Sequence, residues 1–266
     1  MGKIIAFANQ KGGVGKTTTC VNLSAYLAAM GKKILIVDMD PQGNATSGVG
    51  IDKSGNLKSI YNVISGDSTA EDVVKRTSIE GLDIIPSELN LAGAEIELVQ
   101  MDSRENIIKN ILNRLRNSYD YITLDCPPSL GLLTVNALTA ADSIVIPIQC
   151  EFYALEGLSQ LMNTVKLVKK HLNPNIDIEG VVLTMKDARS NLINDVSNEI
   201  RKFFGKKVYD ASIPRNIRLA EAPSHGQPIL TYDPRSKGAI AYLELAEEFL
   251  KRNNDAASPR VATIKK

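Results

Sequence analysis

The strongest constraint on the fold is a glycine-rich loop at residues 11–18, with the sequence Lys-Gly-Gly-Val-Gly-Lys-Thr-Thr. An apolar run at residues 3–8 precedes it and predicts a buried strand, and residues 17–30 have the periodicity of an amphipathic helix. Glycines let the backbone N–H groups of such a turn point inward, and the amino end of the following helix favours negative charge. The order of strand, loop and helix therefore predicts a cradle for phosphate groups.

The rest of the chain alternates short apolar runs with longer segments of helical period, which is typical of a parallel sheet covered by helices. The runs are apolar almost throughout, as in strands that are buried on both faces. Further strands are predicted at residues 34–37, 82–85, 121–124, 143–148 and 180–184. Further helices are predicted at residues 104–117, 155–171, 191–204 and 237–251. We expect one α/β domain at residues 1–252, with a mostly parallel twisted sheet and helices on both faces, and a flexible polar tail at residues 253–266.

The balance of charge limits how such a protein can contact nucleic acid, since 31 basic and 30 acidic side chains give a formal net charge of +1. Any affinity for DNA must therefore come from a local basic patch.

Cys20, Cys126 and Cys150 form an odd set without zinc-ligand spacing, which fits a reducing cytosol better than a disulfide framework. Neither a secretory signal nor a membrane span is evident, so we expect a cytoplasmic protein.

The lysine and threonine residues of the loop fit nucleotide chemistry. Lys16 is expected to reach the β- and γ-phosphates, the Thr17 hydroxyl to ligate Mg²⁺, and Thr18 to help hold the α-phosphate. Gln10 stands where the standard P-loop pattern has its first glycine, and Thr18 stands where a dinucleotide fingerprint has its third. A plain glycine-rich turn is the alternative. The Gly-Lys-Thr sequence at the start of a helix favours a single-domain P-loop NTPase.

Three aspartates follow predicted strands and suit a metal-dependent reaction. Asp38 and Asp40 lie at the carboxyl end of the second strand, the edge where ligands bind in such folds. A proline and a glycine come next, so this segment is predicted to be a switch loop, although a capping pair in a turn is the alternative. Asp125 follows the apolar run at residues 121–124, which is the Walker B arrangement that holds Mg²⁺ through its waters.

Lys11 adds a second lysine to the loop, and Lys-Gly-Gly-Val-Gly-Lys-Thr-Thr resembles the deviant Walker A loop of the ParA, MinD and nitrogenase-iron-protein superfamily. The resemblance implies a homodimer with ATP sandwiched at the interface, in which Lys11 contacts the phosphates bound by the facing subunit. A solvated surface lysine is the alternative for Lys11. The implied phosphate contacts are Lys11, Gly12, Gly13, Val14, Gly15, Lys16, Thr17 and Thr18.

The same resemblance implies roles for the aspartates. Asp38 would lie near the water shell of Mg²⁺, together with Thr17 and Asp125, and Asp40 would position or activate the water that attacks the γ-phosphate. The implied catalytic residues are Lys11, Lys16 and Asp40. Residues 126–128, Cys-Pro-Pro, would form a second switch.

Base recognition is expected at the end of the strand at residues 180–184. The Asn-Lys-x-Asp signature of guanine-specific P-loop proteins is absent, which favours ATP over GTP. In the superfamily the adenine lies near the end of this strand and near residues 213–215. The resemblance therefore implies that Met185 and Pro214 are apolar walls of the base site.

Three branches of the superfamily remain to be separated, because the ATPase core alone does not choose among them. The segment after residue 253 has no apolar face for a MinD-type membrane helix. The cysteines offer no convincing ligand pair for an iron–sulfur cluster. Arg189 and Arg218 match the places of DNA-binding arginines in the DNA branch, although each is individually more often a solvated surface group.

Up to about residue 251 the motif order resembles that of Soj-type chromosomal ParA proteins, including residues 220–228. The resemblance implies an ATP-dependent dimerisation switch that binds double-stranded DNA without sequence preference. It also implies that a ParB-type partner stimulates hydrolysis, that the work done is segregation of a chromosome or plasmid, and that the protein is nucleoid-associated. A MinD-like, membrane-recruited positioning ATPase and a metabolic P-loop enzyme are the two rival hypotheses.

Overall fold

The computed structural model describes residues 1–151, 154–187 and 189–255, and the fold within them is built on a single sheet. Its strands are β1 (Lys3–Phe7), β2 (Ile34–Asp38), β3 (Lys75–Arg76), β4 (Leu82–Ile85), β5 (Tyr121–Asp125), β6 (Ser143–Gln149) and β7 (Asp177–Thr184). The strand order is β3-β4-β2-β5-β1-β6-β7, and every neighbouring pair except β3 and β4 is parallel. The carboxyl ends of β1, β2 and β5 therefore meet at one edge of the sheet.

Helices cover both faces of this sheet. They are α1 (Lys16–Ala29), α2 (Asn44–Gly48), α3 (Ile60–Ile64), α4 (Ala70–Val73), α5 (Leu91–Leu98), α6 (Ile107–Leu115), α7 (Leu132–Ala140), α8 (Ala154–His171), α9 (Asn191–Phe204), α10 (Ile217–Glu221), α11 (Ile229–Tyr232) and α12 (Lys237–Arg252). The longest helices on one face are α1 and α12, while α6 to α9 pack on the other. None of the helices in the described part of the chain has the length and apolar character needed to cross a bilayer.

The alternation of side chains along β1 explains why both faces need covering. Ile4 and Ala6 belong to the core under α6 to α9, whereas Ile5 and Phe7 belong to the core under α1 and α12. All four side chains are almost wholly buried. A strand of this kind gains free energy from burial on each side, which accounts for its unbroken apolar sequence.

The predicted fold class is confirmed, and each strand predicted from an apolar run is present within a residue or a few of its expected bounds. The predictions did not include β3, whose two residues are both basic and pair antiparallel at the edge of the sheet. Nor did they include α5 or α7. In α7 the buried positions run consecutively from Asn136 to Ala140, so the helix lacks the periodicity by which an amphipathic helix is recognised.

The chain remains packed slightly beyond the predicted end of the domain. Asp255, which was assigned to the polar tail, forms an ion pair with Lys32 at 2.5 Å and accepts a hydrogen bond from the Tyr121 hydroxyl at 2.8 Å. The tail boundary at residue 253 is therefore too early, because these long-range polar contacts could not be recognised from local composition. The remainder of the predicted tail, residues 256–266, lies outside the described residues.

Candidate nucleotide-binding site

The candidate site lies at the sheet edge where β1, β2 and β5 end. Asp38 and Asp125 are the last residues of β2 and β5 and pair directly in the parallel register. The glycine-rich loop leaves β1 at the same edge and enters α1 at Lys16. The sheet edge therefore holds Lys16, the carboxylates of Asp38 and Asp125, and the amino end of α1. Ligands of parallel sheets usually bind at this edge.

The loop has the backbone shape that its glycines permit. Gly13 and Gly15 have φ angles of 74° and 84°, in the left-handed region that other residues rarely adopt. Space around Gly12 and Gly13 is open, since an added Cβ would meet no atom within 4 Å at either position. The Thr184 hydroxyl donates to the Val14 carbonyl at 2.8 Å, so the end of β7 holds the buried middle of the loop in place.

Lys16 lies inside the loop and is only 7% exposed. Its ammonium donates to the Lys11 carbonyl at 3.1 Å. Burial lowers the pKa of Lys16, and the nearby charge of Asp125 works in the opposite direction. This cation is therefore partly desolvated before any ligand arrives, a setting in which an added anion interacts strongly.

The two carboxylates at the strand ends are fully buried. Burial raises the pKa of Asp125 well above its usual range, and the like charge of Asp38 raises it further. Burial also raises the pKa of Asp38 to about 6, and hydrogen bonds from Thr46 hold it down in part. By strict hydrogen-bond geometry neither carboxylate oxygen of Asp125 has a partner among the described residues, although Thr17 lies near enough to lower its pKa.

This set of oxygen donors fits Mg²⁺. A buried carboxylate without a hydrogen-bond partner is costly unless a cation or water satisfies it, and Asp125 meets that description. In the described ranges no three His, Cys, Asp or Glu side chains cluster as a complete metal site. Mg²⁺ does not need one, because it keeps several waters and takes further oxygens from phosphates. Thr17, Asp38 and Asp125 could contribute the protein's share.

Asp40 lies on the loop after β2 and is 8% exposed. Its backbone N–H donates to Oδ1 of Asp38 at 3.2 Å, and its own Oδ1 accepts from the N–H of Gln42 at 3.0 Å. The side chain is therefore held beside the paired carboxylates while part of it faces solvent. Gly43, with a φ of 62°, then turns the chain into α2.

Thr46, which was not among the predicted site residues, connects α2 to Asp38. Its hydroxyl and its backbone N–H both donate to Oδ2 of Asp38, at 2.7 and 2.8 Å. The hydroxyl oxygen also accepts from the N–H of Ser87 at 2.9 Å. In the sequence, Thr46 is only a hydroxyl residue that follows the two aspartates closely. Its position there does not indicate which carboxylate its hydroxyl would contact.

Lys11 lies on the outer side of the loop, in a different setting from Lys16. Its side chain is 35% exposed and forms an ion pair with Glu151, just after β6. Glu151 was not predicted, because it is far from Lys11 in the sequence and acquires its role only through the pairing of β6 with β1. The two lysines of the loop are thus directed to different environments.

A mostly apolar cavity of about 470 Å³ adjoins the loop at Gly15 and Thr18. Met185 and Pro214, the predicted walls of the base site, both line it, as do Ile213 and Tyr242. Met185 has a φ of 50°, which is uncommon for a residue other than glycine and which turns the chain out of β7. The cavity and the phosphate loop together have the shape that a nucleotide requires.

Arg189 and Arg218 lie on segments joined by a backbone bridge between Lys186 and Pro214. The Arg189 side chain is 90% exposed and pairs with Asp187 at 2.9 Å. Arg218 is half exposed and pairs with Glu221 at 2.9 Å and with Asp233 at 3.4 Å. Both guanidinium groups are accessible to a large ligand, and both have carboxylates that such a ligand would have to replace.

All three cysteines are free and buried. Burial raises the pKa of all three thiols, so they are poor metal ligands and poor nucleophiles. Cys126 follows Asp125 directly but lies inside the core. The site is therefore one of oxygen and nitrogen chemistry.

Comparison with known proteins places this geometry in context. A family model described as AAA domain matches residues 2–178. The chain is 62% identical over 248 residues to the sporulation initiation inhibitor protein Soj of Bacillus subtilis, covering 93% of this chain and 98% of that protein. It is 51% identical over 260 residues to the chromosome partitioning protein ParA of Myxococcus xanthus, covering 98% and 92%.

A solved structure extends the similarity to three dimensions. It is that of cobyrinic acid a,c-diamide synthase from Mycobacterium smegmatis with bound ADP and magnesium. The two chains are 36% identical and superpose with a TM-score of 0.84, covering 97% of this chain and 98% of the other. The fold around the candidate site is therefore shared with a protein that binds a nucleotide.

Proposed function

Because this chain belongs to the ParA/Soj family of P-loop ATPases, we propose that it is an ATP-dependent dimerisation switch that binds DNA and serves chromosome or plasmid segregation. The observation that carries this proposal is the contrast between the two lysines of one loop. Lys16 is buried beside Asp125, whereas Lys11 is directed outward and is partly exposed. One lysine can serve the nucleotide of its own subunit while the other serves a second subunit.

Binding of ATP begins with the loop. The open backbone at Gly12 and Gly13 and the amino end of α1 receive the phosphates, and Lys16 neutralises charge on them. Thr18, at the end of the loop, also lines the apolar cavity that would take adenine. When bound, Mg²⁺ supplies Lewis-acid stabilisation of phosphate charge, and Thr17, Asp38 and Asp125 are the residues that would hold it.

Hydrolysis needs a group that orients a water molecule beside the γ-phosphate. We assign this role to Asp40, which is held next to the paired carboxylates and keeps a small exposed surface. The carboxylate can accept a hydrogen bond from the water and can take its proton as the new P–O bond forms and the bond from the γ-phosphorus to the bridging oxygen of the leaving ADP breaks. Lys11 of the opposite subunit adds positive charge where negative charge develops.

The dimer would bind double-stranded DNA without sequence preference. Arg189 and Arg218 lie on joined segments and are accessible, and a dimer presents each of them twice. Phosphate contacts of this kind give affinity but no sequence information. A ParB-type partner would accelerate hydrolysis and release the dimer from a nucleoid in the cytoplasm.

DNA binding with ATP and with ADP, measured by filter retention over a range of salt, tests the proposal directly. We expect retention of plain duplex DNA only with ATP, and a steep loss of affinity as salt rises. Equal retention in ADP, or retention that ignores salt, would count against the DNA step. Sedimentation with anionic liposomes and ATP is the matched arm, because a MinD-like protein would bind them and the protein proposed here would not.

A further inference from the structure

Asn9 joins the phosphate loop to β6 through both ends of its side chain. It lies just after β1 and is 5% exposed. Its Nδ2 donates to the carbonyl of Pro147 in β6 at 2.8 Å, and its Oδ1 accepts from the backbone N–H of Lys11 at 3.0 Å. These partners fix which way the amide faces, because a carbonyl can only accept and an N–H can only donate. The first part of the loop is therefore attached to the sheet by a buried side chain.

The bond to Pro147 takes the place of a hydrogen bond between strands. β1 and β6 are parallel, and the N–H of Ala8 donates to the Val145 carbonyl at 3.2 Å. Carbonyls two residues apart on a strand face the same neighbour, so the Pro147 carbonyl also faces the line of β1. The chain leaves that line to form the loop, and the Asn9 amide supplies the donor that a longer strand would have supplied. The loop can thus turn away from the sheet while its start stays fixed to β6.

The backbone of Lys11 is held from two sides in the nucleotide-free chain. Asn9 accepts its N–H, and the ammonium of Lys16 donates to its carbonyl at 3.1 Å. A bound nucleotide would draw Lys16 to its phosphates, and a second subunit would draw the Lys11 side chain away from Glu151. Of these three contacts, the bond to Asn9 is the one that neither event removes.

A fixed backbone matters for a lysine that has to reach another subunit. Ordering a long side chain at an interface already costs conformational entropy, and ordering the backbone below it would cost more. A turn closed by asparagine and the N–H two residues on is common after a strand, but such a turn alone ties the loop only to itself. The buried bond to Pro147 refers the position of Lys11 to the sheet, which is the rigid part of the fold.

We propose that Asn9 is a positioning residue for Lys11. By fixing the Lys11 backbone to β6, it lets the ammonium exchange Glu151 for a phosphate in the opposite subunit while the start of the loop stays in place. This inference rests on the dimerisation function proposed above. It assigns to Asn9 an effect on dimers and turnover that is carried entirely by Lys11.

Asn9→Ala tests the inference, and Asn173→Ala is the matched control. Asn173 is 7% exposed, and its Nδ2 donates to the carbonyls of Leu138 and Ala141 at 3.1 and 2.7 Å, so its loss also removes buried hydrogen bonds. We expect both variants to lose a few degrees of melting temperature and to bind ADP within about threefold of the wild type. The dimer dissociation constant, measured by light scattering with ATP and Mg²⁺, should rise at least about tenfold in Asn9→Ala alone.

A double-mutant cycle shows whether Asn9 acts through Lys11. ATP turnover at saturating ATP is compared in the wild type, Asn9→Ala, Lys11→Ala and the double variant. We expect Asn9→Ala to lower turnover at least about fivefold when Lys11 is present and less than about twofold when it is absent. An equal loss in both backgrounds would make Asn9 a structural residue of the loop and would overturn the inference.

Asn9→Ser separates the bond to β6 from the local turn. Its hydroxyl can still accept from the Lys11 N–H, as serine does in such turns, but the side chain is too short to reach Pro147. We expect dimers as weak as those of Asn9→Ala. Wild-type dimers in Asn9→Ser would show that attachment to β6 has no part in placing Lys11, and this result stands even if Asn9→Ala does not fold.

The remaining outcomes distinguish this inference from the proposed function. Dimers of wild-type strength in Asn9→Ala, or an equal loss of dimers in Asn173→Ala, would overturn the role of Asn9 alone. A wild-type chain that stays monomeric with ATP and Mg²⁺ would overturn the dimerisation switch itself.

Discussion

Lys11 and Glu151 form an ion pair within one chain, so the lysine proposed to reach a second subunit has a partner in its own. Glu151 also accepts a hydrogen bond from the Gln149 side chain at the end of β6. Lys11 must leave this carboxylate before it can contact phosphates bound by another subunit. In the proposed switch, this ion pair therefore opposes dimerisation.

Glu151→Gln should strengthen ATP-dependent dimerisation. Both side chains are partly exposed, so each pair contributes about 0.2–1 kcal/mol, and two pairs are broken per dimer. The dimer dissociation constant should fall by about twofold to thirtyfold, measured by light scattering or gel filtration with ATP and Mg²⁺. Glu244→Gln, a charge change at an exposed position on α12, is the control. Weaker dimers in Glu151→Gln would show that Glu151 supports the interface.

Thr46→Val should damage the site, and Thr46→Ser should preserve it. The hydroxyl of Thr46 donates to Asp38 at 2.7 Å and accepts from Ser87, and valine can do neither. Loss of a hydrogen bond to a buried carboxylate costs about 1–3 kcal/mol, which denaturant unfolding would detect. ATP turnover at limiting Mg²⁺ should fall in the valine variant alone. Equal behaviour of the two variants would mean that the hydroxyl has no part in holding Asp38.

The phosphate loop and the strand-end aspartates could be predicted because each role follows from neighbours in the sequence. The placement of Asp38 and Asp125 at one edge of the sheet could be predicted from two facts, that each ends an apolar run and that the strands formed by these runs are parallel. Their direct pairing across β2 and β5 follows from the register. The cradle likewise depends on glycines placed next to one another.

Glu151, Thr184 and Thr46 could not be predicted, because their roles depend on which segments meet in space. Thr184 lies at the end of β7, an edge strand of the sheet, and donates to the Val14 carbonyl. Glu151 contacts Lys11 only because β6 pairs with β1. The helix α5 escaped prediction for another reason. Its apolar residues lie on two faces, and a periodic pattern reveals only helices that have one.

Mg²⁺ should bind more weakly in acid. Burial raises the pKa of Asp38 to about 6 and also raises that of Asp125, so in acid these carboxylates hold protons that the metal must displace. The folded pKa of Asp38 exceeds its unfolded value, so its protonation stabilises the nucleotide-free fold most below about pH 4, and this contribution is lost as pH rises through about 6.

The gain in melting temperature from Mg²⁺ with ADP, relative to ADP alone, should therefore increase from about pH 5 to about pH 7. Differential scanning fluorimetry with and without EDTA provides the measurement. Lys16→Ala is the control, because it should bind no nucleotide at either pH. A gain that stays constant over this range would show that these carboxylates do not release protons to the metal.

Arg189→Ala and Arg218→Ala should weaken DNA binding and leave ATP-dependent dimers intact. Each arginine that contacts a phosphate contributes about one unit to the slope of log affinity against log salt, so loss of two per dimer should reduce the slope by about two. Arg104→Ala, at a partly exposed arginine just before α6 that pairs with Glu105, is the control. Loss of dimers in both arginine variants would assign these residues to the fold or the interface.

Asp40→Ala should trap the dimer by separating binding from hydrolysis. The phosphate loop, Lys16 and the paired carboxylates remain, so ATP and Mg²⁺ should still bind, and Lys11 should still reach the opposite subunit. Removing the group that orients water should lower turnover by about 10²–10⁴-fold in a phosphate-release assay. Gel filtration with ATP should then show a persistent dimer, and the double variant Asp40→Ala with Lys11→Ala should elute as a monomer. Normal turnover in Asp40→Ala would move the catalytic role elsewhere, and a dimer in the double variant would remove Lys11 from the interface.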